Sequence, residues 1–348
     1  MKNRRIFNLH TIFIGCALYT ISLHAVSFGQ EVKKVGTSAA AFLRIPVGTK
    51  AIAMGSAFTA IADDGSAMFW NPGNIAPQTE RTLFIHHSPW LPGLDFQYIG
   101  VLLPVQRIGV VGVNVVSLTS EDMDVTTPDA PMGTGETFNA ASYAAGLAFA
   151  SSLTDRFSIG ANFKFIQERI YHSIAQGFAF DVGTMFVTPF KNVRFGVAIS
   201  NIGTRMAMDG DDLNSYVDVA PTHEGNNPNI VAKMDTDSFD PPIMMRMGVS
   251  WDWWLSDASR VTFACDGVNP NDNAQYINLG IEWASFHEAV VLQGGFNELL
   301  LEEREKGMTL GGAIRLPSVS GVSLNVGYAF QEFRYLGSVN HFSVQLAF

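Results

Sequence analysis

The sequence predicts an all-β fold, a transmembrane antiparallel β-barrel of about 14 strands with an N-terminal hatch inside its lumen. First, 47% of the residues are hydrophobic and only 16% are charged, against about 25% in a typical soluble domain. Second, apolar side chains alternate with polar or small ones over most of residues 81–348, which is the period of a strand with two unlike faces. Third, no stretch of about 18 residues after residue 30 is apolar enough for a membrane helix. Together these features are typical of an outer-membrane barrel.

The composition also excludes two classes of protein. The apolar and aromatic content is too high for a disordered chain. With 22 basic and 32 acidic residues the formal net charge is −10, so nucleic acid is not an expected partner.

Residues 1–29 have the pattern of a cleaved secretory signal peptide. Basic residues precede an apolar stretch at 12–23, and Ser27 and Gly29 supply small residues at the −3 and −1 positions of a cut before Gln30. The apolar stretch is too short to favour the alternative, an uncleaved anchor helix.

The chain has two cysteines, and only one lies beyond the predicted signal peptide. Cys16 could mark a lipoprotein, but the apolar stretch continues past it, which favours the ordinary signal. Cys265 then has no partner for an intrachain disulfide. Because Cys265 lies within a predicted strand, we expect a packed thiol.

The alternation divides residues 81–348 into fourteen candidate strands. Residues 157–165 illustrate the pattern, with phenylalanine, isoleucine and alanine on one face and serine, glycine, asparagine and lysine on the other. The count is even, and many strands are near the 9–11 residues that cross a bilayer at a tilt. The candidates are 81–87, 95–103, 107–119, 138–151, 156–170, 174–188, 192–202, 243–254, 259–268, 275–285, 288–297, 308–316, 320–331 and 337–348.

The connections between these strands alternate in length, as barrels with both termini in the periplasm require. We therefore expect an outer-membrane location in a Gram-negative bacterium, with periplasmic termini and long extracellular loops. The long connections are 88–94, 120–137, 203–242, 298–307 and 332–336, and the short ones are 104–106, 152–155, 189–191, 255–258, 286–287 and 317–319.

Aromatic residues support the barrel in two places. The last strand alternates up to a terminal Phe348, which resembles the assembly signal of outer-membrane proteins. Four tryptophans precede two of the short turns, where an interfacial belt would lie; the alternative is core packing. They are Trp251, Trp253, Trp254 and Trp283.

Residues 30–80 do not alternate and are predicted to form the hatch, which makes 81–348 the barrel. Small residues dominate 36–77, and a short helix is expected at 66–70, before Pro72. The lumen-facing positions of the strands are also small, which leaves room for an insert.

Residues 53–72 resemble the N-terminal signature of the PorV/PorQ family, which belongs to a larger group of barrels similar to the FadL fatty-acid transporter. The resemblance is carried by Gly55, Asp63, Asp64, Trp70, Asn71 and Pro72. It implies fourteen strands and a hatch with an Asn-Pro-Ala motif. The third position departs from that motif, because the sequence here reads Asn71-Pro72-Gly73.

Catalytic and metal-binding motifs are weak, so we expect no enzyme activity, no cofactor and no metal site. There is no His-Glu-x-x-His, no Gly-x-Ser-x-Gly and no phosphate-binding loop. His86 and His87 are adjacent, so a strand would send their rings to opposite faces. Within the barrel we expect polar inward residues to line the lumen or hold the hatch, namely Lys164, Glu168, Asp181, Arg194 and Glu282.

The long connection 203–242 is rich in acids and is a candidate partner-binding loop. An alternative, which we favour, is a hydrated outer rim cross-linked by divalent ions. The spacing lacks the glycine and glutamate of a helix–loop–helix calcium site. The acids at issue are Asp209, Asp211, Asp212, Asp235 and Asp237.

Two functions are open at this point. The PorV/PorQ resemblance implies a non-enzymatic component or substrate-binding shuttle of type IX protein secretion, with the translocon and exported client proteins as partners beside outer-membrane lipid. The FadL resemblance implies a passive channel for hydrophobic solutes. In that case Phe42, Met54, Phe58, Met68 and Phe69 of the hatch would line the path, or would simply seal it.

Overall fold

The computed structural model describes residues 36–61, 63–190, 193–218, 222, 227, 229–319 and 321–348, with only the backbone for 317–319. The predicted signal peptide, residues 1–29, lies outside the described residues.

Fourteen long strands form a closed antiparallel barrel, as the sequence predicted. Each strand pairs with its neighbours in the chain, and the first pairs with the last. They are β1 Thr82–Leu91, β2 Leu94–Val105, β3 Gly109–Ser120, β4 Ala140–Thr154, β5 Phe157–Ile170, β6 Ser173–Val187, β7 Val193–Gly203, β8 Met244–Ser256, β9 Ser259–Pro270, β10 Tyr276–Ser285, β11 Val290–Leu299, β12 Lys306–Val319, β13 Val322–Phe333 and β14 Gly337–Ala347.

The connections define two ends of the barrel. We call one the turn end, where short connections such as 106–108 and 257–258 lie and where β1 begins and β14 finishes. The other is the loop end, which carries the long connections 121–139 and 204–243. Short strands fold these two loops onto themselves: Met123–Asp124 pairs with Thr137–Phe138, and Asn214–Val217 with Ile230–Lys233.

The predicted long connection 88–94 is wrong. β1 continues to Leu91 and β2 begins at Leu94, so only two residues separate them. Pro89 lies within β1 although proline has no N–H to donate to the ladder. The strand accommodates it at an irregularity in the register between Pro89 and Leu91.

The two faces of the wall differ as the alternation predicted. Along β5, Asn162 and Lys164 are buried inside the barrel, whereas Phe163 and Phe165 are exposed on the outside. A continuous apolar outer surface of this kind suits lipid.

Three of the four tryptophans near the turn end, Trp251, Trp253 and Trp283, project outward, in the position of an interfacial belt rather than of core packing. Trp253 and Trp283 both lie opposite Val261 on the strand between them, so they share one level of the barrel. Trp254 is exposed at the end of β8 but has the inward parity, and the Arg260 guanidinium lies 6.0 Å from its ring centroid.

The expectation of a packed thiol at Cys265 is wrong. The inward positions of β9 are the even-numbered ones, such as Ala264 and Asp266, so Cys265 points outward and is exposed. Cys265 shares the parity of the exposed Phe263, so the two-residue period of β9 places it on the outer face.

All helices of the described residues are short: Ala41–Arg44, Thr49–Ala53, Ala67–Trp70, Pro72–Ile75 and Asp211–Leu213. The helix Ala67–Trp70 confirms the one expected at 66–70. No helix in the described part of the chain has the length and apolarity to span a membrane.

Residues 36–61 and 63–80, which we call the hatch, are held inside the barrel by close contact with glycines of the wall. Three pairs of glycines lie opposite one another on adjacent strands. A Cβ on any of them would lie within 2.4 Å of a wall or hatch atom, which no real structure tolerates. The lack of a side chain at these inward positions therefore lets the hatch pack directly against the wall. The pairs are Gly160 with Gly183, Gly196 with Gly248, and Gly280 with Gly295.

Candidate functional site in the barrel lumen

The Asn-Pro-Gly segment joins the hatch to itself and to the wall. The Asn71 side-chain Nδ2 donates to the carbonyl oxygens of Thr59 (2.8 Å) and Thr184 (3.0 Å), and its Oδ1 accepts from the Gly73 N–H at 3.0 Å. Pro72 begins the next helical turn, Pro72–Ile75, where its fixed φ suits the first position. The segment thus fixes where the hatch meets β6.

Gly73 occupies the third position of this segment because nothing larger fits. A Cβ there would lie 2.7 Å from the Gly183 carbonyl oxygen and 2.9 Å from the Thr184 Cα. We expect Gly73→Ala to destabilise the hatch by about 1–3 kcal/mol through overpacking, which thermal unfolding in detergent would measure. Gly267→Ala is the matched control, because its Cβ would meet nothing closer than 4.0 Å. Equal loss of stability in both variants would contradict the close contact.

Asp266 is the main polar anchor of the hatch. Its Oδ2 accepts from the backbone N–H of Phe58 (2.9 Å), the N–H of Thr59 (2.9 Å) and the Thr59 hydroxyl (2.6 Å). Asp266 and Thr59 are both buried. Hydrogen bonds from buried donors to a carboxylate are among the strong ones in proteins.

A network of charges holds the hatch near the turn end. Lys50 pairs with Asp63 of the hatch and, at 2.8 Å, with Glu282 of β10. Arg260 joins the same network through Glu282 at 3.2 Å and Glu288 at 2.8 Å. These groups are largely withdrawn from solvent, so breaking one partner would leave the other charge buried and uncompensated.

Burial and neighbouring charges shift the pKa values of Lys50 and Asp64 in the hatch. Burial alone would lower the pKa of Lys50, but Asp63 and Glu282 outweigh it and raise that pKa, so Lys50 stays charged. Burial, together with the neighbouring Asp63 carboxylate, raises the pKa of Asp64 to about 6. Ser66 partly offsets this effect, because its N–H and hydroxyl donate to Asp64 Oδ1 at 2.8 and 2.5 Å.

A continuous cluster of apolar side chains, which we call the apolar column, runs along the other side of the lumen over β1–β6. It connects the loop end with the turn end. Leu118, Met208 and Trp90 pack against its outer part. Met206 contributes to it from the long connection 204–243. Its wall residues include Ala175, Phe96, Tyr98, Leu102 and Val110, and its hatch residues include Phe42, Leu43, Val47, Met68 and Ile75.

The lumen is therefore two-sided. Opposite the apolar column, the inward positions of β7–β12 carry buried polar and charged groups such as Arg246, Asp266, Glu282 and Thr309. These groups bind the hatch: Thr309, for instance, accepts from Gly55 N–H at 3.1 Å and donates to the Ala53 carbonyl at 2.9 Å. Hydrogen bonds and ion pairs hold the hatch on the β7–β12 side. On the β1–β6 side apolar packing dominates, beside single hydrogen bonds such as those of Asn71 with Thr184 and of Ala40 with Glu168.

The apolar column is closed by the hatch. Phe42, Leu43 and Met68 are buried in it. A cavity between the hatch and the wall at the turn end, beside Lys50 and Gln345, measures about 30 Å³, which is room for about one water molecule. Passage of a larger solute therefore requires the hatch or its side chains to move.

The structure brings the predicted hatch residues together in the lumen. Gly55 has φ of 64°, and a Cβ there would lie 2.4 Å from the Leu279 carbonyl oxygen. Trp70 donates from Nε1 to the Val47 carbonyl at 2.8 Å and lies under the Arg246 guanidinium. At the opposite end of the sequence, Phe348 exchanges two backbone hydrogen bonds with Arg81, which continues the β14–β1 seam.

The acids of the long loop do not converge on one point. Asp209 pairs with Lys233, and Asp212 accepts from the His172 N–H at 2.9 Å. Asp211, Asp235 and Asp237 are exposed. In the described residues no group of three or more His, Cys, Asp or Glu side chains is placed to hold a metal ion.

The inward residues expected to line the lumen or hold the hatch lie where the alternation put them. Lys164 pairs with Asp181 at 2.8 Å, and Glu168 accepts from the Ala40 N–H of the hatch at 3.0 Å. Sequence reasoning missed Asp266, although an isolated acid in the middle of an apolar strand was a usable signal.

Comparison with known proteins places the fold. No protein-family model matches the chain, and no curated protein matches it in sequence. Solved structures do match: the toluene transporter TbuX of Ralstonia pickettii has a TM-score of 0.52 at 12% identity and covers 86% of this chain and 97% of its own. The toluene transporter TodX of P. putida has a TM-score of 0.56 at 9% identity, and the match covers 86% of this chain and 98% of TodX. A Pseudomonas aeruginosa FadL homologue has a TM-score of 0.51 at 12% identity, and the match covers 87% of this chain and 98% of the homologue.

Identities this low establish the fold and nothing finer, and none of the matches bears on the PorV/PorQ resemblance. The chain shares the closed 14-stranded barrel fold of the FadL-type outer-membrane channels.

Proposed function

We propose that this protein is a non-enzymatic outer-membrane channel through which hydrophobic small molecules cross passively. The apolar column is the observation that carries the proposal. A solute that leaves water at the loop end would meet apolar side chains along the whole height of the barrel, from Met206 to Val110. Each step exchanges one apolar contact for another, so no large desolvation barrier interrupts the path.

Two further observations support a channel. Two of the structurally similar barrels are toluene transporters, and these proteins share the fold over nearly their full length. The asymmetry of the lumen also suits transport, because the hydrogen bonds at Asp266 and Thr309 can hold the hatch while the apolar side yields to a solute.

Polar substitutions at the mouth of the apolar column are expected to slow uptake. Leu118 and Met208 are only partly buried, so Leu118→Asn/Met208→Asn should fold while placing two amides on the path. An unsatisfied amide costs about 1–3 kcal/mol, so uptake of a hydrophobic solute into proteoliposomes should fall about tenfold or more.

The matched control changes the same residue types elsewhere at the loop end. Leu300 and Met132 are exposed and lie outside the column, so Leu300→Asn/Met132→Asn should leave uptake unchanged. Equal rates for both double variants, or no uptake by the unaltered protein above protein-free liposomes, would contradict the proposal.

The orientation follows from the same proposal. The long connections 121–139 and 204–243 would face the outside of a Gram-negative cell, and the short turns and both termini the periplasm, since this is the arrangement of bacterial barrels. Protease added to intact cells would then cut within 204–243 and not within the turns.

A role in type IX secretion stays a prediction from the PorV/PorQ resemblance. Its candidate contact surface is the acidic loop, where Asp211, Asp235 and Asp237 are exposed. If that role exists, deletion of 203–242 should leave an assembled barrel that no longer retains exported clients. Normal retention of clients by the deletion variant would contradict a role in type IX secretion.

A further inference from the structure

Three neighbouring side chains inside the barrel have no hydrogen-bond partner on any of their polar atoms. They are His86, His341 and Gln331, which we call the polar trio. Both ring nitrogens of each histidine and both amide atoms of the glutamine lack a partner among the described residues. All three residues are fully buried. Other buried groups with one unpaired atom, such as Asp266 and Asn74, have their remaining atom bonded.

The polar trio is contiguous. It lies on the adjacent strands β1, β14 and β13, and the imidazoles of His86 and His341 stack with ring centroids 5.5 Å apart and planes inclined by 20°. Gln331 lies opposite Val339, one diagonal position from His341 on the same inner face.

Aromatic rings frame the polar trio and connect it with the apolar column. Phe96, a member of the column, meets His86 edge-on at 5.9 Å, and Trp90 lies 6.1 Å from His341. Phe333 in turn packs against Trp90 at 5.4 Å. A solute in the column therefore passes directly beside six unpaired hydrogen-bonding atoms.

The chemistry of the trio is neutral. The inward positions of β1, β13 and β14 carry no acid, lysine or arginine, so nothing there compensates a charge. Neutral imidazoles each offer one donor and one acceptor, and a carboxamide offers both kinds. The near-parallel, stacked rings cannot both direct a lone pair at one metal ion, which must lie in the plane of each ring.

We propose that the polar trio binds the uncharged hydroxyl group of an otherwise apolar solute, such as a phenol or alcohol, in the channel proposed above on which this inference rests. A hydroxyl both donates and accepts, as the trio does. A pure hydrocarbon would leave the buried polar atoms unpaired, and a carboxylate would enter without a compensating cation.

Two probes of nearly equal shape test the proposal. In 4-methylphenol a hydroxyl replaces one methyl group of 1,4-dimethylbenzene. Binding of each would be measured by equilibrium dialysis against the barrel in lipid nanodiscs, with partition into empty nanodiscs subtracted. We expect the phenol to bind about tenfold or more tightly than the hydrocarbon, because a site built for a hydroxyl rejects an analogue that lacks one.

Variants then assign the preference to the trio. His86→Phe/His341→Phe/Gln331→Leu removes the polar atoms at similar volume and should bind both probes equally. If the triple variant does not fold, the single variant His86→Phe takes its place. It should lower the preference for the phenol over the hydrocarbon. His87→Phe is the matched control, since His87 lies on the outer face and should leave the preference unchanged.

The outcomes separate this inference from the proposed function. Equal binding of both probes by the unaltered protein, or an unchanged preference in the trio variants, overturns the inference. Transport is measured separately in proteoliposomes. A preference for binding the phenol without any uptake supports the inference about the trio and overturns the channel. Uptake of both probes without a binding preference supports the channel and overturns the inference about the trio.

Discussion

Oxidation of a Thr49→Cys/Gly327→Cys variant is expected to abolish solute uptake, and reduction to restore it. A Cβ at Gly327 would lie 3.3 Å from the Thr49 Cβ, a few tenths of an ångström from the usual spacing in a disulfide. Thr49 is two residues from Val47, a hatch member of the apolar column, so the bond would fix the hatch beside the solute path. The measurement is uptake of a hydrophobic solute by proteoliposomes with and without reductant, in a background where Cys265 is alanine.

The control shares one of the two cysteines. Ser343 is the register partner of Gly327 on the adjacent strand, so Thr49→Ala/Gly327→Cys/Ser343→Cys ties wall to wall. Removing the Thr49 hydroxyl, which would collide with the new Cβ, leaves the hatch free. Uptake by this variant should not depend on redox state. Unimpaired uptake by the oxidised hatch–wall variant would show that side-chain motion alone opens the path.

Removing the Asp266 carboxylate is expected to free the middle of the hatch while the barrel stays closed. Asp266→Ala leaves three buried donors on Phe58 and Thr59 without their acceptor. At about 1–3 kcal/mol for each orphaned donor, the loss is large enough to free this segment of the hatch locally. Amide hydrogen exchange at these two residues should accelerate about 100-fold or more, and the conductance of planar bilayers should rise.

Asp235→Ala is the control for this prediction, because Asp235 is exposed in the loop and, among the described residues, has no hydrogen bond to the wall or the hatch. It should leave both exchange and conductance unchanged. Protected amides at Phe58 and Thr59 in Asp266→Ala would show that packing, and not the carboxylate, holds the hatch.

Strand number and face were predictable from the chain because both depend on local order. Phe163 faces out and Asn162 faces in as a direct result of the two-residue period, which needs no knowledge of the partner strands. The predictions for the end of β1 and for the thiol of Cys265 were wrong. Pro89 lies inside β1 because an irregularity in the register accommodates it. The expectation for Cys265 failed for a different reason, because the period that places Phe263 on the outer face was not applied to the thiol.

The candidate site was only partly predictable. The hatch signature, including Asn71 and Pro72, could be identified as a contiguous segment. The polar trio could not, because His86 and His341 are separated by most of the chain and become neighbours only when β14 pairs with β1. Asp266 likewise gained its role from a contact with Thr59 across the lumen.

By itself, the sequence determined a ribbon of fourteen strands with one apolar face, and small residues on the other, since composition and period are properties of neighbouring residues. Only the tertiary structure decided that β1 meets β14, that glycines such as Gly183 receive the hatch, and that the lumen has one apolar and one polar side. Those features depend on pairs of residues far apart in the chain. Their distances are set by closure of the barrel, which no local pattern specifies.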